Sequence, residues 1–415
     1  MTPPWTTCEG GPTRRTVLTG SLTAALALWA GRSALAQVTL GAKDSKTGNV
    51  LVTLFLRGGM DGLSMIVPHG DDGYHKARPS IGLGVPKRGA VRDLDGFFGL
   101  HPALAPLEGL YKDGALAPIH AIGSLDQSRS HFEAMALMER GAASDPAAIP
   151  SGWLARHLQA SPTKHASPLR AVAFDTTLPD ILRGATNAST IRSLEDIKLA
   201  KPSLHGALAR LYAHGDDPVQ VAGRETLAVL RTLDKLDPAR YRPENGALYP
   251  DSALGKGLQQ TALLIKADVG VEVACLDRGG WDTHVAQGGA TGWLSTQLDD
   301  VARSLAAFAA DLGRSLDGVT VVVMTEFGRR VAENSGLGTD HGRASSWLLL
   351  GGGVSGGRVF ARWPGCAPDK LEAPGDLKVT TDYRDVLSEL VTKRLGGDGR
   401  ALFPGAPGQG LGAFG

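Results

Sequence analysis

The sequence predicts an α/β fold: a mostly parallel central sheet flanked by helices. Apolar runs of strand length recur along the chain, at residues 50–56, 117–122, 169–174, 271–276, 319–324 and 347–350, with helical patterns between them. The first run, Val50-Leu51-Val52-Thr53-Leu54-Phe55-Leu56, is continuous rather than alternating, as in a strand buried on both faces. Acids and histidines gather just beside four of the runs, and strand ends are where open α/β sheets build their sites.

The first strand ends in Arg57-Gly58-Gly59-Met60-Asp61-Gly62, whose glycines let the chain turn sharply. Asp61 then stands at the strand's carboxyl end with two roles open, a cap for the next helix or a metal ligand. A loop-rich stretch, 69–99, is broken by Pro79 and Pro86. A helix from His101-Pro102 through Tyr111 stops at Asp113-Gly114, before the 117–122 strand. Next come Ser128-Arg129-Ser130-His131-Phe132-Glu133 and a helix running to Arg140, so Ser130 and His131 lie at a strand-to-helix junction. The free amides of a helix start bind anions, and a hydroxyl there can act as a nucleophile when a base or metal lowers its pKa.

The middle of the chain predicts helices over 152–158, 204–212 and 225–236. A helix over 254–267 feeds the 271–276 strand, and Leu294, Leu298, Val301, Leu305, Phe308 and Leu312 share one face of another. Three motifs follow: Gly279-Gly280-Trp281-Asp282-Thr283-His284, Thr325-Glu326-Phe327-Gly328-Arg329-Arg330 and Gly338-Thr339-Asp340-His341-Gly342-Arg343. Carboxylates and neutral imidazoles are ligands for divalent cations. Asp282, His284, Glu326 and His341 are candidate ligands. Asp340 is either a turn residue or a partner that orients His341. Arg329 and Arg343 either clamp a phosphate or sulfate or pair with surface carboxylates.

The 43 basic and 42 acidic side chains balance, which gives no electrostatic case for nucleic acid or an anionic membrane. Near the N-terminus, Arg14-Arg15 precedes a mildly apolar stretch from Val17 to Ala30 and a small-x-small site, Ala34-Leu35-Ala36. This resembles a twin-arginine export signal, with an ordinary secretory signal or an uncleaved anchor as the alternative. The expectation is a signal over 1–36, a single domain over 37–415, recognition by the twin-arginine machinery, and a periplasmic or secreted protein with no membrane span once the signal is removed. Of three cysteines, Cys8 lies in the signal, leaving Cys275 and Cys366 as free thiols without metal or disulfide spacing.

Together Arg-Gly-Gly-x-Asp-Gly, Ser-Arg-Ser-His-Phe-Glu, Gly-Gly-Trp-Asp-Thr-His, Thr-Glu-Phe-Gly-Arg-Arg and Gly-Thr-Asp-His-Gly, in this order, resemble the bacterial family catalogued as domain of unknown function 1501. That family is in turn similar to the alkaline phosphatase and sulfatase superfamily. The resemblance implies an alkaline-phosphatase-like fold and a hydrolase of phosphate or sulfate esters, acting on a small-molecule or glycan ester. It implies Asp61 as the first-strand ligand and Ser130 as nucleophile. Asp282, His284, Glu326 and His341 would complete a site for one or two divalent ions, Zn, Mn or Mg. The chain departs from the superfamily pattern in two places. Phe327 stands where a second histidine is usual, and Asp282-x-His284 is tighter than usual. His131 is the candidate substitute ligand. A non-catalytic binding protein on a degenerate scaffold is the alternative.

Overall fold

In the computed structural model the apolar run Val50–Leu56 is the strand β1, buried along its whole length. The structure describes residues 49–86, 91–161, 167, 169–186, 188–196, 204–215 and 217–415. The predicted export signal lies outside the described residues. Seven further strands join β1 in one sheet: β2 (Leu116–Gly123), β3 (Ala171–Ala173), β4 (Ala188–Thr190), β5 (Val273–Arg278), β6 (Val319–Met324), β7 (Ser345–Gly351) and β8 (Thr381–Asp382). Their order is β8-β2-β7-β6-β1-β5-β3-β4. β1 runs parallel to β5 and β6, β5 parallel to β3, and β8 parallel to β2. β7 alone is antiparallel to its neighbours β2 and β6. The mostly parallel sheet expected from the continuous apolar runs is therefore present.

Helices cover both faces, which is why the strands carry apolar side chains on both sides. Val50, Val52, Leu54 and Leu56 pack in one core with residues of α2 (Ala253–Lys266) and α3 (Trp293–Leu312). Leu51 and Phe55 face the other core, with Tyr383, Val386, Leu387 and Leu390 of α4 (Tyr383–Arg394). α1 (His131–Arg140) begins just after β2 and ends at Gly141 in the left-handed conformation. Among the described residues, no helix is long and apolar enough to cross a membrane.

The direction of β7 matters for the site. Residues after a parallel strand and residues before an antiparallel one emerge at the same edge of a sheet. The loops after β1, β2, β5 and β6 therefore share an edge with the loop before β7. The motif ending in His341 reaches that edge from the amino end of its strand, not the carboxyl end that a uniformly parallel sheet would give. Cys275 and Cys366 are free, as expected, and both are buried.

His120 sits on β2 without solvent exposure. Its Nδ1 accepts from the Ala121 amide at 2.8 Å and its Nε2 donates to the Ile66 carbonyl at 3.0 Å, with the Phe98 ring stacked at 5.5 Å. Burial pushes its pKa down to about 4, and does the same to His157. Both rings are thus neutral when folded and free to take a proton near pH 6.5 when unfolded. The unfolded chain binds more protons between those values, so stability falls as pH drops from about 6.5 to about 4. The loss is expected to reach roughly 3 kcal/mol for a group shifted this far. Urea titrations at pH 7, 5.5 and 4 measure it, and His120→Gln is expected to flatten the dependence.

Candidate metal centre

The shared edge carries the site. After β1 the chain turns through Gly58 (φ +122°) and Gly59 (φ +61°), which a side chain would obstruct: a Cβ at Gly58 would lie 2.7 Å from the Asp282 amide. This close approach brings the β1 loop against the β5 loop. The stretch between β6 and β7, residues 325–344, holds no helix or named strand. Long irregular loops inside a packed domain commonly serve function.

His131, Asp282 and His341 each offer one ligand atom, all within 4.8 Å of one another. His284 joins them, its Nε2 3.0 Å from His341 Nε2 and 3.1 Å from Asp282 Oδ1. The outer nitrogen of each ring decides what the inner one can do. His131 Nδ1 faces the Glu326 carboxylate at 2.8 Å, His284 Nδ1 faces Asp340 at 3.2 Å, and His341 Nδ1 faces the Arg129 carbonyl at 2.9 Å. Each Nδ1 must carry the hydrogen, because its partner only accepts. In neutral rings all three Nε2 atoms are then lone pairs. Two of them meet at 3.0 Å, and the third, on His131, is buried with no hydrogen-bond partner, 3.5 Å from Asp282 Oδ2. Lone pairs placed so repel unless a proton or a cation lies between them. Three imidazoles oriented by outer acceptors, together with a carboxylate, fit a divalent metal.

The electrostatics agree. Burial works to raise the Asp282 carboxyl, but the Arg329 hydrogen bond at 2.7 Å and the contact with His341 override it and hold the pKa at about 2. The Glu326 hydrogen bond raises the pKa of His131, whereas burial lowers that of His341. The Asn334 amide and His284 keep Asp340 ionised, below its usual value.

Other predicted site residues take different places. Asp61 is fully buried and does not join the cluster. Arg78 grips both its oxygens, at 2.5 and 3.0 Å, and the Ser64 hydroxyl and Gln287 amide each donate to Oδ2 at 2.7 Å. Burial would raise its pKa, but the Arg78 charge outweighs this and keeps it ionised. Ion pairing, not metal ligation, satisfies it here. Glu326 is buried too, and it accepts from the Gly58 and Gly59 amides and from His131 rather than facing the cluster. It orients a ligand and holds the β1 turn. Asp340 does orient a histidine, but that histidine is His284 rather than His341.

Neither arginine is free to clamp an anion. Arg329 is buried, and it donates to the carbonyls of Gly59, Gly58, Thr339 and Trp281 as well as to Asp282. Arg343 pairs with Glu372 and donates to the Leu125 carbonyl. Ser130 is exposed at the N-cap of α1 and makes no capping bond, so its hydroxyl is free beside His131.

Sequence reasoning passed over Gln287. It is fully buried, and its Oε1 accepts from the Thr283 hydroxyl at 2.8 Å and the Thr339 hydroxyl at 2.9 Å. Thr283 lies between Asp282 and His284, and Thr339 just before Asp340-His341. One amide thus fixes two ligand loops to each other and, through Asp61, to Arg78. An uncharged residue in an ordinary loop sequence carries no signal of this.

A mostly parallel α/β sheet with acids and histidines converging at one edge defines the class of protein. The chain belongs to the family described as "Protein of unknown function (DUF1501)", whose model matches residues 119–409. No curated protein matches the chain in sequence. Among solved structures it is similar to a protein from Pyrococcus horikoshii, with 12% identity over 74% of this chain and 87% of that one and a TM-score of 0.30. It is also similar to the phosphonate monoester hydrolase of Agrobacterium radiobacter, with 11% identity over 84% of this chain and 74% of that one and a TM-score of 0.34.

Replacing Gln287 by Leu unties the two ligand loops while filling the space. Outer partners of this kind set ligand orientation, so affinity for Zn(II) is expected to fall about 10–100-fold. Competition titration with a chromophoric chelator measures it. An unchanged affinity in a folded variant removes the positioning role.

Proposed function

We propose that this protein is an exported, metal-dependent hydrolase of phosphate or sulfate esters. The observation that carries the reading is the convergence of the His131, His284 and His341 Nε2 atoms on Asp282, with every outer nitrogen already engaged. The donor set favours one borderline cation such as Zn(II) over Mn(II) or Mg(II), which prefer oxygen. A bound cation would supply Lewis acidity, lowering the pKa of a nearby hydroxyl and stabilising charge on the ester oxygens.

The chain's own groups do the rest. Ser130 is the nucleophile: it precedes a ligand directly, and its hydroxyl is spent on no cap. The uncapped amides of the first turn of α1 hold the non-bridging ester oxygens, where the helix dipole favours negative charge. Asp282 would hold the cation through its carboxylate, which Arg329 orients through a hydrogen bond to Oδ1.

A second reading has an observation of its own. Arg329 and Arg343 are both committed within the fold, so the anion clamp expected of an ester hydrolase is missing from those two positions. This favours a metal-binding protein without catalysis. The two readings separate in one set of variants. His341→Ala and Asp282→Ala are expected to lose Zn(II), assayed as metal per chain. Ser130→Ala is expected to keep it and lose at least 100-fold in hydrolysis across a panel of phosphate and sulfate esters. Metal retained in the ligand variants rejects the centre, and a wild-type protein inert on the whole panel supports the binding reading.

Export is proposed from Arg14-Arg15 ahead of the weak apolar stretch. Arg14→Lys with Arg15→Lys is expected to hold the protein in the cytoplasm with residues 1–36 attached. Cell fractionation and the mass of the mature chain report this, and normal export of the double variant rejects it.

A further inference from the structure

Resting on the metal-dependent reading above, we propose that the substrate is an amphiphilic ester. Its anionic head would sit at the His131–Asp282–His284–His341 cluster, and its aryl or medium-length alkyl body would lie against a rim of exposed apolar side chains. Phe132 is 85% exposed, Val285 73%, Trp293 55%, Leu337 51% and Leu125 50%. Single exposed apolar residues are ordinary, but these five lie in the segments that build the cluster. Phe132 follows His131 directly, and Val285 follows His284 directly. Neighbouring Cα atoms are about 3.8 Å apart, so neither lies far from a ligand.

The rim extends from there along contacts. The Ala286 amide donates to the Gly336 carbonyl at 2.8 Å and the Gln287 amide to the Leu337 carbonyl at 2.9 Å, which pairs the Val285 segment with the Leu337 segment. Trp293 donates from Nε1 to the Gly280 carbonyl at 2.9 Å, two residues before Asp282. That bond fixes the indole and leaves its ring a preformed wall, which costs little further entropy on binding. The Leu125 carbonyl accepts from Arg343, two residues after His341.

Packing does not explain the rim. α1 buries Ala134, Leu137 and Met138 and turns Phe132 outward. The head must be an anion, because the cluster fits a cation. The body must be apolar, because three of the five rim residues are aliphatic and offer a sugar no hydrogen bonds. A soluble ester, rather than a lipid bilayer, is the occupant. The rim borders a ligand set that is partly recessed, with His131 and His341 22% exposed at their side chains, His284 40% and Asp282 48%, and a flat bilayer surface reaches the two inner histidines poorly.

Calorimetric titration of the mature, Zn(II)-loaded protein with non-hydrolysable phosphonates tests this. Octylphosphonate and phenylphosphonate are expected to bind at least about tenfold tighter than methylphosphonate, the worth of burying a couple of methylene groups. Phe132→Ser combined with Val285→Ser is expected to cut that advantage below about threefold. Equal affinity for the three phosphonates overturns the proposal, as does an advantage that survives in the double variant, or failure of all three to bind. Glucose 6-phosphate binding as tightly as octylphosphonate overturns it in favour of a sugar ester. Sedimentation with phosphatidic acid vesicles, without binding of monomeric octylphosphonate, overturns it in favour of a membrane surface. Chelator-treated protein separates the two layers of the argument. An octyl advantage that persists without the cation rejects the metal reading and keeps the rim. Equal, cation-dependent binding of all three rejects the rim and keeps the metal.

Discussion

The edge of the sheet is organised by a guanidinium that water does not reach. Arg329 sends hydrogen bonds to carbonyls of Gly58 and Gly59 after β1, of Trp281 after β5 and of Thr339 before β7. A buried charge is tolerable only when paired and hydrogen-bonded. Its carboxylate partner is Asp282, itself a member of the cluster. The two loops that carry Asp282, His284 and His341 therefore share one donor with the β1 turn beside them, and moving any of the three leaves an N–H of a buried cation unmet. The geometry of the site is thereby fixed by the fold, before any ligand is bound, which is the condition for preorganised electrostatics.

The same economy runs through the histidines. None of the three has a free outer nitrogen: Glu326, Asp340 and the Arg129 carbonyl hold them. Asp282, Glu326 and Asp340 bring three carboxylates around the cluster, against the buried Arg329 and with Arg330 at the rim, 3.6 Å from Asp340. Negative charge and convergent lone pairs at one point repel each other. A divalent cation answers both repulsions at once, whereas a single proton shared between His284 and His341 would leave the buried His131 Nε2 unmet.

What the sequence made legible follows from periodicity. Buried parallel strands are continuous apolar runs, so β1 and β6 could be located, and their flanking acids and histidines placed at an edge. Strand direction is invisible in such a run, so the antiparallel β7 was not foreseen. The fate of Asp61 was illegible for a related reason. Its partner Arg78 comes from a loop-rich segment whose path back to the β1 turn is set by tertiary packing. Arg329 reads the same in sequence whether it points to solvent or inward, and only its burial turns a candidate anion clamp into a structural hub. His131 entered the candidate site as a substitute ligand because Phe327 stands where the usual histidine would, and it does lie in the cluster. The structure packs these two rings against each other at a tilt, with centroids 4.8 Å apart.

The Asp61–Arg78 pair bears on how many cations the site can hold. A two-cation site of the kind the superfamily resemblance implies would need Asp61 as a free ligand. Here both its oxygens are held by a guanidinium as buried as itself, with Ser64 and Gln287 on Oδ2. Extracting Asp61 for a second ion would strand Arg78 as an unpaired buried charge, at a cost of about 3–5 kcal/mol, and would break the Gln287 tie between the ligand loops. The Arg78 guanidinium thus holds Asp61 as a permanent ion pair in the place of a second ion. On the proposed hydrolase reading, the chemistry left to the site would be that of one cation, the α1 amides and the Ser130 hydroxyl, and stabilisation of the ester oxygens would fall on the helix start rather than on a second metal.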